Sequence, residues 1–277
     1  MEKLGILAGS GRFPILVAEE AKRAGVEIVA LGMQGMTDPA LESVAGKVTY
    51  FKLGQISKPI EALKAAGVTK VVMAGKVQHV SVFGGILPDL RAAKILARLP
   101  DKRTDTILKA IADEFAKDGI ELLSSVGYLG HMLVGEGPQT VRKPDPAELA
   151  DIRLGWKAAK ALAGFDVGQT AVCANGAVVA LEAMEGTDAC IRRARDLAAS
   201  QGKRVTLTLV KVAKPKQDLR FDIPVLGMDS LKTFAECGVT ALALEAGTTL
   251  IFDKPQFLKA ADAQKLAVVG FIAEGPQ

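Results

Sequence analysis

The chain has 277 residues, 49% of them apolar and 24% charged, which is the composition of a globular protein long enough for more than one domain. Its 35 Lys and Arg side chains nearly balance 31 Asp and Glu, and no extended basic block occurs, which argues against a dedicated nucleic-acid-binding protein. The longest apolar runs are too short to span a membrane, and the N-terminal sequence, which soon reaches Gly-Ser-Gly-Arg, is not that of a signal peptide.

In chain order, the first half alternates apolar strands with helical patterns. The strands are KLGILAG, EIVALG, KVTYFKLG and KVVMAGK, and the segments FPILVAEEAKRAG and ISKPIEALKAAG between them have helical patterns. This alternation, with Gly at the turns, predicts βαβ units and a parallel sheet. Helices near Leu90–Arg98 and Thr104–Lys117 and a strand in IELLSSV follow. We therefore predict an N-terminal Rossmann-like domain over residues 1–134.

Residues 135–146 are rich in Gly and Pro and are predicted to be a linker. A second α/β domain with a mixed sheet is expected over residues 147–277. Its helices are predicted at residues 147–163, after Asp188, and near Ser230–Glu236. Its strands are predicted in TAVCANGAVVALEA, where Asn175-Gly176 is typical of a type I′ hairpin, and in RVTLTLVKV, TALALEA and TTLIFD.

Cysteine and histidine content limits the chemistry of the chain. Cys173, Cys190 and Cys237 are far apart and odd in number, which favours reduced, buried thiols over disulfides or a zinc site. With only His79 and His131, a histidine-based transition-metal site is disfavoured. We expect any metal to be a hard cation held by carboxylates, and Mg²⁺ is the cation that fits this description.

Two glycine-bearing turns follow strands in the first half. AGSGRFP places Gly9, Ser10, Gly11 and Arg12 between a strand and a helix, where backbone N–H groups and a positive charge favour an anion. The dinucleotide fingerprint is incomplete, since Pro14 stands where the third Gly is required. MAGK places Lys76 at the same predicted edge of the sheet. The alternative is that the glycines serve turn geometry alone and that Lys76 is a solvated loop side chain.

Several carboxylates stand near predicted helix starts. Asp89 is predicted to cap the helix that follows it, and Thr104 or Asp105 to cap the next one. In EAMEGTDACIRRAR, Thr187 or Asp188 is predicted to cap an Arg-rich helix. Capping does not account for the other charged side chains there, which could hold Mg²⁺ or phosphate: Glu182, Glu185, Arg192 and Arg193.

The segment KPKQDLRFDIP concentrates mixed charges between two prolines. If its second half is extended, Asp218, Arg220 and Asp222 share one face. The other face, Leu219, Phe221 and Ile223, is apolar, which predicts that the segment is packed down. The alternative is an edge strand whose surface charges neutralise one another.

Taken together, KVAKPKQDLRFDIPVLG, EGTDACIRRA, DVGQTAV, AGSGRFP and MAGKV resemble the UDP-2,3-diacylglucosamine pyrophosphatase family of lipid A biosynthesis, in its LpxI form. The resemblance extends from Leu4 to about Gly270. It implies hydrolysis of UDP-2,3-diacylglucosamine to UMP and lipid X with Mg²⁺ as cofactor. It also implies a Rossmann-like domain and a C-terminal α/β domain that hold the lipid between them.

The resemblance implies roles for individual residues. Asp222 would be the essential carboxylate, as metal ligand or water activator, with Asp218 and Asp188 as partners and Asp188 as second metal ligand. The pyrophosphate would be neutralised by Lys211, Lys214 and Arg220. The remaining substrate-binding residues would be Gly9, Ser10, Gly11, Arg12, Lys76, Gln169, Thr187 and Gln217.

The implied partner is a lipid-linked UDP-sugar. We accordingly expect a cytoplasmic protein, associated peripherally with the cytosolic face of the inner membrane, and leave open a homodimer. Two other functions remain open from the residues alone. A non-catalytic nucleotide or lipid binder would bind without turnover and ignore a chelator. A nicotinamide-dependent oxidoreductase would need an acidic residue soon after the second strand, where LGMQGMTD offers Asp38 in a loop.

Overall fold

The computed structural model describes residues 2–77, 87–101, 104–200, 206–214, 218, 220–221 and 223–272; for residues 104 and 105 it describes the backbone. Contacts divide the chain into two compact units. The first consists of Met1–Gly130 together with Asp218–Phe221, and the second of His131–Gln217 and Asp222–Gln277. His79, Gln217, Leu219 and Asp222 lie outside the described residues.

The first unit is built on five parallel strands in the part of the chain that the structure describes. The strands are β1 (Lys3–Ala8), β2 (Glu27–Met33), β3 (Val48–Phe51), β4 (Lys70–Ala74) and β5 (Glu121–Leu123). The helices are α1 (Phe13–Arg23), α2 (Leu41–Ala45), α3 (Ser57–Ala65), α4 (Leu90–Arg98), α5 (Thr104–Lys117) and α6 (Val126–Leu129).

Strand order in this sheet is β3-β2-β1-β4-β5. β1 pairs with β2 on one side and with β4 on the other, all in parallel. The order therefore reverses between β1 and β4, and in open parallel sheets ligands bind beyond the carboxyl ends of the strands at such a point. Central strands buried on both faces read as continuous apolar runs, and β1 is buried from Leu4 onward.

One apolar cluster of the first unit holds α3, α4 and α5 against the sheet. Leu63, Val71, Phe115 and Ile120 are fully buried in it. Asp89 begins α4 and accepts a hydrogen bond from the backbone N–H of Ala92 at 2.8 Å, so its predicted capping role is confirmed. The other oxygen of the same carboxylate accepts from the N–H groups of Ile56 and Ser57 at the start of α3.

The second unit contains a six-stranded sheet among its described residues, in the order β6-β13-β11-β9-β7-β8. Its strands and those of a small separate pair are β6 (Gly137–Pro138), β7 (Thr170–Ala174), β8 (Ala177–Leu181), β9 (Leu207–Lys211), β10 (Val225–Leu226), β11 (Val239–Glu245), β12 (Leu250–Ile251) and β13 (Ala267–Phe271). The helices are α7 (Pro146–Gly164), α8 (Thr187–Ala199), α9 (Met228–Cys237) and α10 (Lys254–Ala263). A short 3-10 helix, Gly130–Met132, precedes them.

This sheet is mixed. β9, β11 and β13 are parallel, whereas β7 runs antiparallel to both β8 and β9. The carboxyl ends of β8, β9 and β11 therefore lie at the same edge as the start of β7. The predicted fold class, a parallel-sheet domain followed by a mixed α/β domain, is confirmed.

Local signals account for two of these elements. Asn175 and Gly176 have φ of 52° and 79°, the positive pair that a type I′ turn requires, so the hairpin is confirmed. α7 begins with a capping box, since Asp145 accepts from the N–H of Glu148 and the Glu148 carboxylate accepts from the N–H of Asp145.

Other elements were not predicted from the sequence. They are the helices α2, α6 and α10 and the strands β6, β10 and β13. β6 lies within the Gly/Pro-rich segment that was predicted to be a linker, and it pairs antiparallel with β13. The three cysteines are free and buried, as predicted. None of the described helices is long and apolar enough to cross a membrane.

Candidate functional site

The loops after β1 and β4 are joined at the carboxyl edge of the first sheet. The N–H of Ser10 donates to the carbonyl of Lys76 at 2.8 Å, and the N–H of Lys76 donates back to the carbonyl of Ser10 at 3.0 Å. The Ser10 hydroxyl also donates to the Lys76 carbonyl. The AGSG and AGK motifs therefore form one surface at the point where strand order reverses.

Glycine is required in this surface because the two backbones approach closely. A Cβ on Gly9 would lie 2.7 Å from the Lys76 carbonyl oxygen. A Cβ on Gly75 would lie 2.7 Å from the Ser10 carbonyl oxygen, and Gly75 also has a φ of +93°. Arg12 follows directly as the residue that begins α1, whose first turn has no acidic side chain. The local charge is positive, which suits an anionic ligand.

In the second unit, a buried lysine lies at the carboxyl end of β9. Lys211 is 8% exposed, and its Nζ donates to the Thr187 hydroxyl at 2.9 Å. The Thr170 hydroxyl, opposite Lys211 in the antiparallel β7–β9 pair, lies 3.5 Å from the same Nζ. A lysine is seldom buried to this degree, because its buried charge must then be compensated by neighbouring groups.

The carboxylate that compensates this charge belongs to Glu182. It is 9% exposed and accepts a hydrogen bond from the Thr187 hydroxyl at 2.7 Å. Its second oxygen lies 3.3 Å from the backbone nitrogen of Gln169, which donates to it. Thr187 thus stands between a buried ammonium and a buried carboxylate, accepting from Lys211 and donating to Glu182. We refer to Thr170, Glu182, Thr187 and Lys211 as the β9 cluster.

The start of α8 places Thr187 in this cluster. Gly186 is the capping residue, with a φ of 82°, and no side chain caps the helix. The prediction that Thr187 or Asp188 caps α8 is therefore wrong, because the Thr187 hydroxyl is committed to Glu182 and Lys211. Asp188 lies in the first turn with an exposed side chain.

One ion pair, between Glu185 and Arg193, forms within this segment. Glu185 accepts from Arg193 at 2.7 Å and from the N–H of Ala183. The hydrogen bond from Arg193 is the main cause that lowers the pKa of Glu185. Arg192 makes a long contact of 3.4 Å with the Thr233 hydroxyl. Glu185 is therefore neutralised by an arginine of the same segment.

A second ion pair lies at the same edge of this sheet. Glu245, at the end of β11, accepts from Lys160 with both oxygens at 2.7 Å. One of these oxygens also accepts from the backbone N–H of Ala213. Lys160 lies over the Trp156 ring, 5.3 Å from its centroid. Because Lys160 also donates to the Ala213 carbonyl, this pair fixes the backbone two residues after Lys211.

Within the charged segment Lys214–Pro224, Asp218 and Arg220 bind each other in the first unit. The Asp218 carboxylate accepts from Arg220 Nε at 2.9 Å and from a terminal guanidinium nitrogen at 2.6 Å. The hydrogen bond from Arg220 is the main cause that lowers the pKa of Asp218. The Asp218 carboxylate is therefore ionised and already partnered.

The extended conformation considered for this stretch is wrong at Arg220 and Phe221, which lie in a turn. The N–H of Phe221 donates to the carbonyl of Asp218 at 2.9 Å, which closes a turn. Phe221 is nevertheless packed against the apolar cluster of the first unit, and Ile223 is buried, as predicted. Lys214 forms an ion pair with Asp166. Gln217 and Asp222 lie outside the described residues, so their predicted roles stay predictions.

Arg220 also lines a shallow groove of the first unit, about 470 Å³ in volume. Asp113 and Glu121 line it as well. The guanidinium lies 5.1 Å from the Phe221 ring centroid. Bidentate pairing and stacking both favour a planar guanidinium, so lysine would be a poor replacement at this position.

The described residues offer oxygen donors for a metal but no preformed cage. Among them, no group of three His, Cys, Asp or Glu side chains converges on a position that a metal ion could occupy. Mg²⁺ needs one or two protein carboxylates, because it keeps water ligands and binds phosphate oxygens of the substrate. The exposed side chain of Asp188 is a carboxylate of the type that Mg²⁺ requires.

Sequence reasoning did not identify Thr170 or the central position of Glu182. A signal for both was present. Thr170 begins the strand that pairs with Lys211, and Glu182 directly follows the strand β8 at the edge where Lys211 ends β9. A polar side chain at such an edge is a candidate for a ligand site.

Comparison with known proteins covers both units. The model of the LpxI N-terminal domain matches residues 3–132, and the model of the LpxI C-terminal domain matches residues 135–269. The chain is 33% identical over 276 residues to a protein of Caulobacter vibrioides, UDP-2,3-diacylglucosamine pyrophosphatase LpxI. That alignment covers 98% of this chain and 98% of the relative.

Likeness to solved structures is weak. A UDP-glucose-4-epimerase from Stenotrophomonas maltophila has a TM-score of 0.29 and 10% identity, over 43% of this chain and 34% of that one. A phosphoribosylglycinamide synthetase from Anaerococcus prevotii has a TM-score of 0.27 and 14% identity, over 62% of this chain and 31% of that one. TM-scores this low do not indicate a shared fold or function.

Proposed function

The chain belongs to the LpxI family, and from this membership we propose that it is a UDP-2,3-diacylglucosamine pyrophosphatase of lipid A biosynthesis. Water attacks one phosphorus of the pyrophosphate, the bridging P–O bond breaks, and the bridging oxygen leaves with the other phosphate. The products are UMP and lipid X (2,3-diacylglucosamine 1-phosphate).

The observation that supports this reaction best is the β9 cluster. Hydrolysis of a phosphoric anhydride needs positive charge on the phosphoryl oxygens that become more negative in the transition state. Lys211 supplies a buried charge whose position is fixed by the Thr187 hydroxyl at 2.9 Å. Fixed charges in a site with little water stabilise a transition state more than mobile surface charges do.

The start of α8 adds to this charge. Its first N–H groups are not capped by a side chain, and an uncapped N-terminus of a helix of 13 residues favours an anion. Thr187 places that N-terminus beside Lys211. We assign the pyrophosphate to this position and Gln169, Thr187 and Lys211 to its binding.

We assign the nucleotide end of the substrate to the loops after β1 and β4. Hydrogen bonds between Ser10 and Lys76 join these loops at the strand-order reversal, and Arg12 and Lys76 carry positive charge there. Such an edge binds nucleotides in many parallel sheets.

We further propose that the reaction depends on Mg²⁺, with Asp188 and Asp222 as the protein ligands. Bound there, the ion would neutralise phosphoryl oxygens of the substrate. Asp222 is also proposed to activate the attacking water. Asp218, whose carboxylate is bidentate on Arg220, is better suited to hold that guanidinium for a phosphate oxygen, together with Lys214, than to accept a proton. Gln217 stays a proposed substrate-binding residue.

A substrate with two acyl chains resides in a membrane leaflet. We therefore propose that the protein acts in the cytoplasm as a peripheral enzyme at the inner membrane.

Hydrolysis in detergent micelles tests the proposal. Purified protein is incubated with UDP-2,3-diacylglucosamine, with Mg²⁺ or with a chelator, and UMP and lipid X are measured by chromatography. Release of both products in equal amounts with Mg²⁺, and loss of both with chelator, is expected. Intact substrate under all conditions, from folded protein, would replace this proposal with the non-catalytic binder. Equal turnover with and without chelator would support the proposed activity and contradict its dependence on Mg²⁺.

A further inference from the structure

Helix α4 of the first unit exposes apolar side chains to solvent. Leu87 and Leu90 are 87% and 81% exposed, and Leu96 is 40% exposed. With about 100° per residue, Leu90 and Ala97 fall at the centre of the outer side of the helix, and Leu96 lies about 110° from that centre, at the border with the buried side. Leu87 lies three residues before Leu90, the first residue of the helix. Two large leucines exposed so close together are unusual in a solvated surface and indicate a surface that meets an apolar partner.

Positive charge accompanies these leucines. Lys94 and Arg98 are exposed on the opposite flank of the outer side. The helix sequence LRAAKILAR contains no acidic residue, and the carboxylate of Asp89 is turned inward onto the N–H groups of Ile56, Ser57 and Ala92. We call Leu87, Leu90, Lys94, Leu96, Ala97 and Arg98 the α4 face. It is apolar at its centre and basic along one edge.

The inner side of helix α4 is packed against the rest of the first unit. Ala92 is buried and Ile95 packs against the apolar cluster of the first unit. Arg91, on the inner side, donates to Asp118 and lies near Glu114. Asp89 caps the start of the helix and connects it to α3. The α4 face is therefore already formed and does not need to fold when it meets a partner.

We propose that the α4 face is the surface by which the protein docks on an anionic lipid bilayer. Basic side chains beside exposed leucines are the chemistry of a helix that lies in a membrane interface, with leucines in the acyl boundary and cations at the lipid phosphates. The proposal rests on the proposed function, because a substrate with two acyl chains is presented by a bilayer.

Charge decides between a bilayer and a second copy of this chain. A two-fold contact that packs two copies of α4 antiparallel would bring Lys94 and Arg98 of one copy towards the same cations of the other. Like charges brought together in this way oppose association. An anionic membrane surface instead complements them.

Vesicle co-sedimentation tests the docking without substrate. The full-length protein is mixed with vesicles of phosphatidylcholine alone, or of phosphatidylcholine with phosphatidylglycerol, at low and high salt. We expect binding to the anionic vesicles at low salt, weaker binding at high salt, and little binding to the neutral vesicles. Failure of the wild-type protein to bind anionic vesicles overturns the proposal.

Two double variants separate the contributions of the face. Leu87→Ser with Leu90→Ser and Lys94→Gln with Arg98→Gln are each expected to weaken vesicle binding by roughly tenfold or more. The matched control is Val141→Ser with Phe165→Ser, which replaces two exposed apolar residues of the second unit, 86% and 81% exposed. The control is expected to bind as the wild type does. Equal binding by all variants, or equal loss in the control, overturns the assignment of this face.

Light scattering and hydrolysis in micelles distinguish membrane docking from a subunit interface and from a loss of activity. Light scattering without vesicles reports oligomeric state; if Leu87→Ser with Leu90→Ser dissociates a dimer and leaves vesicle binding intact, the face is a subunit interface and the proposal fails. Hydrolysis in detergent micelles is expected to be unchanged in all the double variants. If the wild-type protein is active in micelles but does not bind vesicles, the docking proposal fails and the proposed function stands. If it binds vesicles but is inactive in micelles, the proposed function fails and the docking proposal stands.

Discussion

Lys211 Nζ and the Thr187 hydroxyl are 2.9 Å apart, and the same hydroxyl is 2.7 Å from the buried carboxylate of Glu182. A single threonine thus connects a buried cation to a buried anion at the carboxyl edge of the second sheet. Both charges are compensated before any ligand arrives, so the ammonium keeps its position when a phosphate approaches.

Lys211→Met is expected to lower kcat/KM for UDP-2,3-diacylglucosamine hydrolysis by about a hundredfold or more, because one fixed positive charge on the phosphoryl oxygens is lost. Methionine has a similar volume, and urea unfolding is expected to show a folded protein. Lys254→Met is the control, since Lys254 is a partly buried lysine that donates to the carbonyl of Leu133. Near-normal turnover of Lys211→Met would remove Lys211 from the site.

Glu182→Gln tests the carboxylate that orients Thr187. The amide keeps the size of the side chain but removes the negative charge that compensates Lys211, and one of its groups becomes a donor facing another donor. We expect kcat to fall about tenfold and the free energy of unfolding to fall by about 1–3 kcal/mol. Glu185→Gln, at the exposed ion pair with Arg193, is the matched control and is expected to change both quantities little. A variant as active as the wild type would show that Thr187 needs no orientation.

Asp222→Ala is expected to abolish turnover while leaving the fold intact, since Asp222 is the proposed metal ligand and water activator. Initial rates at saturating Mg²⁺ measure the effect, and a loss of at least about a hundredfold is expected. Asp229→Ala, on the exposed surface of α9, is the control for a change of net charge. Retention of most of the activity by Asp222→Ala would contradict the role.

Asp89→Ala is expected to lower the free energy of unfolding by about 2 kcal/mol at neutral pH, because one carboxylate caps α4 and also binds the start of α3. Urea unfolding measures the difference. Asp38→Ala is the control, since the exposed Asp38 carboxylate accepts from the nearby N–H of Ala40 and does not cap two helices. Equal stability of wild type and Asp89→Ala would show that the shared cap contributes nothing.

The pH dependence of this effect has a definite sign. Burial alone would raise the pKa of Asp89, but the hydrogen bonds from Ala92, Ser57 and Ile56 lower it below its ordinary value. The stabilisation is therefore complete above the unfolded pKa of about 3.9 and is lost as the pH falls through the lower folded pKa. The difference between wild type and Asp89→Ala should stay constant from neutral to mildly acidic pH and shrink below it.

The cysteines are expected to resist thiol reagents in the native protein. Burial raises the pKa of Cys173 to about 12 and that of Cys190 to about 11, and it also raises the pKa of Cys237. The reactive thiolate is therefore scarce at neutral pH, and access is poor. Titration with a chromogenic disulfide should detect three thiols after denaturation in guanidinium and almost none before. Rapid reaction of one native thiol would contradict the buried position.

The fold of the first unit was predictable because its signals are local. Strands such as KLGILAG and KVVMAGK are apolar between their terminal lysines, as strands buried on both faces must be, and Gly marks each turn. The position of AGSG and AGK at one edge follows from the parallel direction of β1 and β4. The contact between Ser10 and Lys76 adds the detail that the two loops are hydrogen-bonded to each other.

The second unit was less predictable because its sheet depends on distant pairs. β6 has two residues and pairs with β13, which lies about half the chain away, so no local pattern announces it. The turn at Asp218 was missed because alternating charged and apolar residues are equally compatible with a strand. The hydrogen bond from Phe221 to Asp218 and the bidentate Arg220 contact depend on packing that periodicity does not report.

The assignment of Asp218–Phe221 to the first unit limits how the protein can be divided. Phe221 packs in the apolar cluster of the first unit, although about ninety residues of chain separate it from Gly130, where the continuous part of that unit ends. A fragment that stops after Gly130 would leave a gap in this cluster where the aromatic ring should be. Each half expressed alone is therefore expected to be less stable than in the intact chain. Mixing the two halves should restore part of that stability.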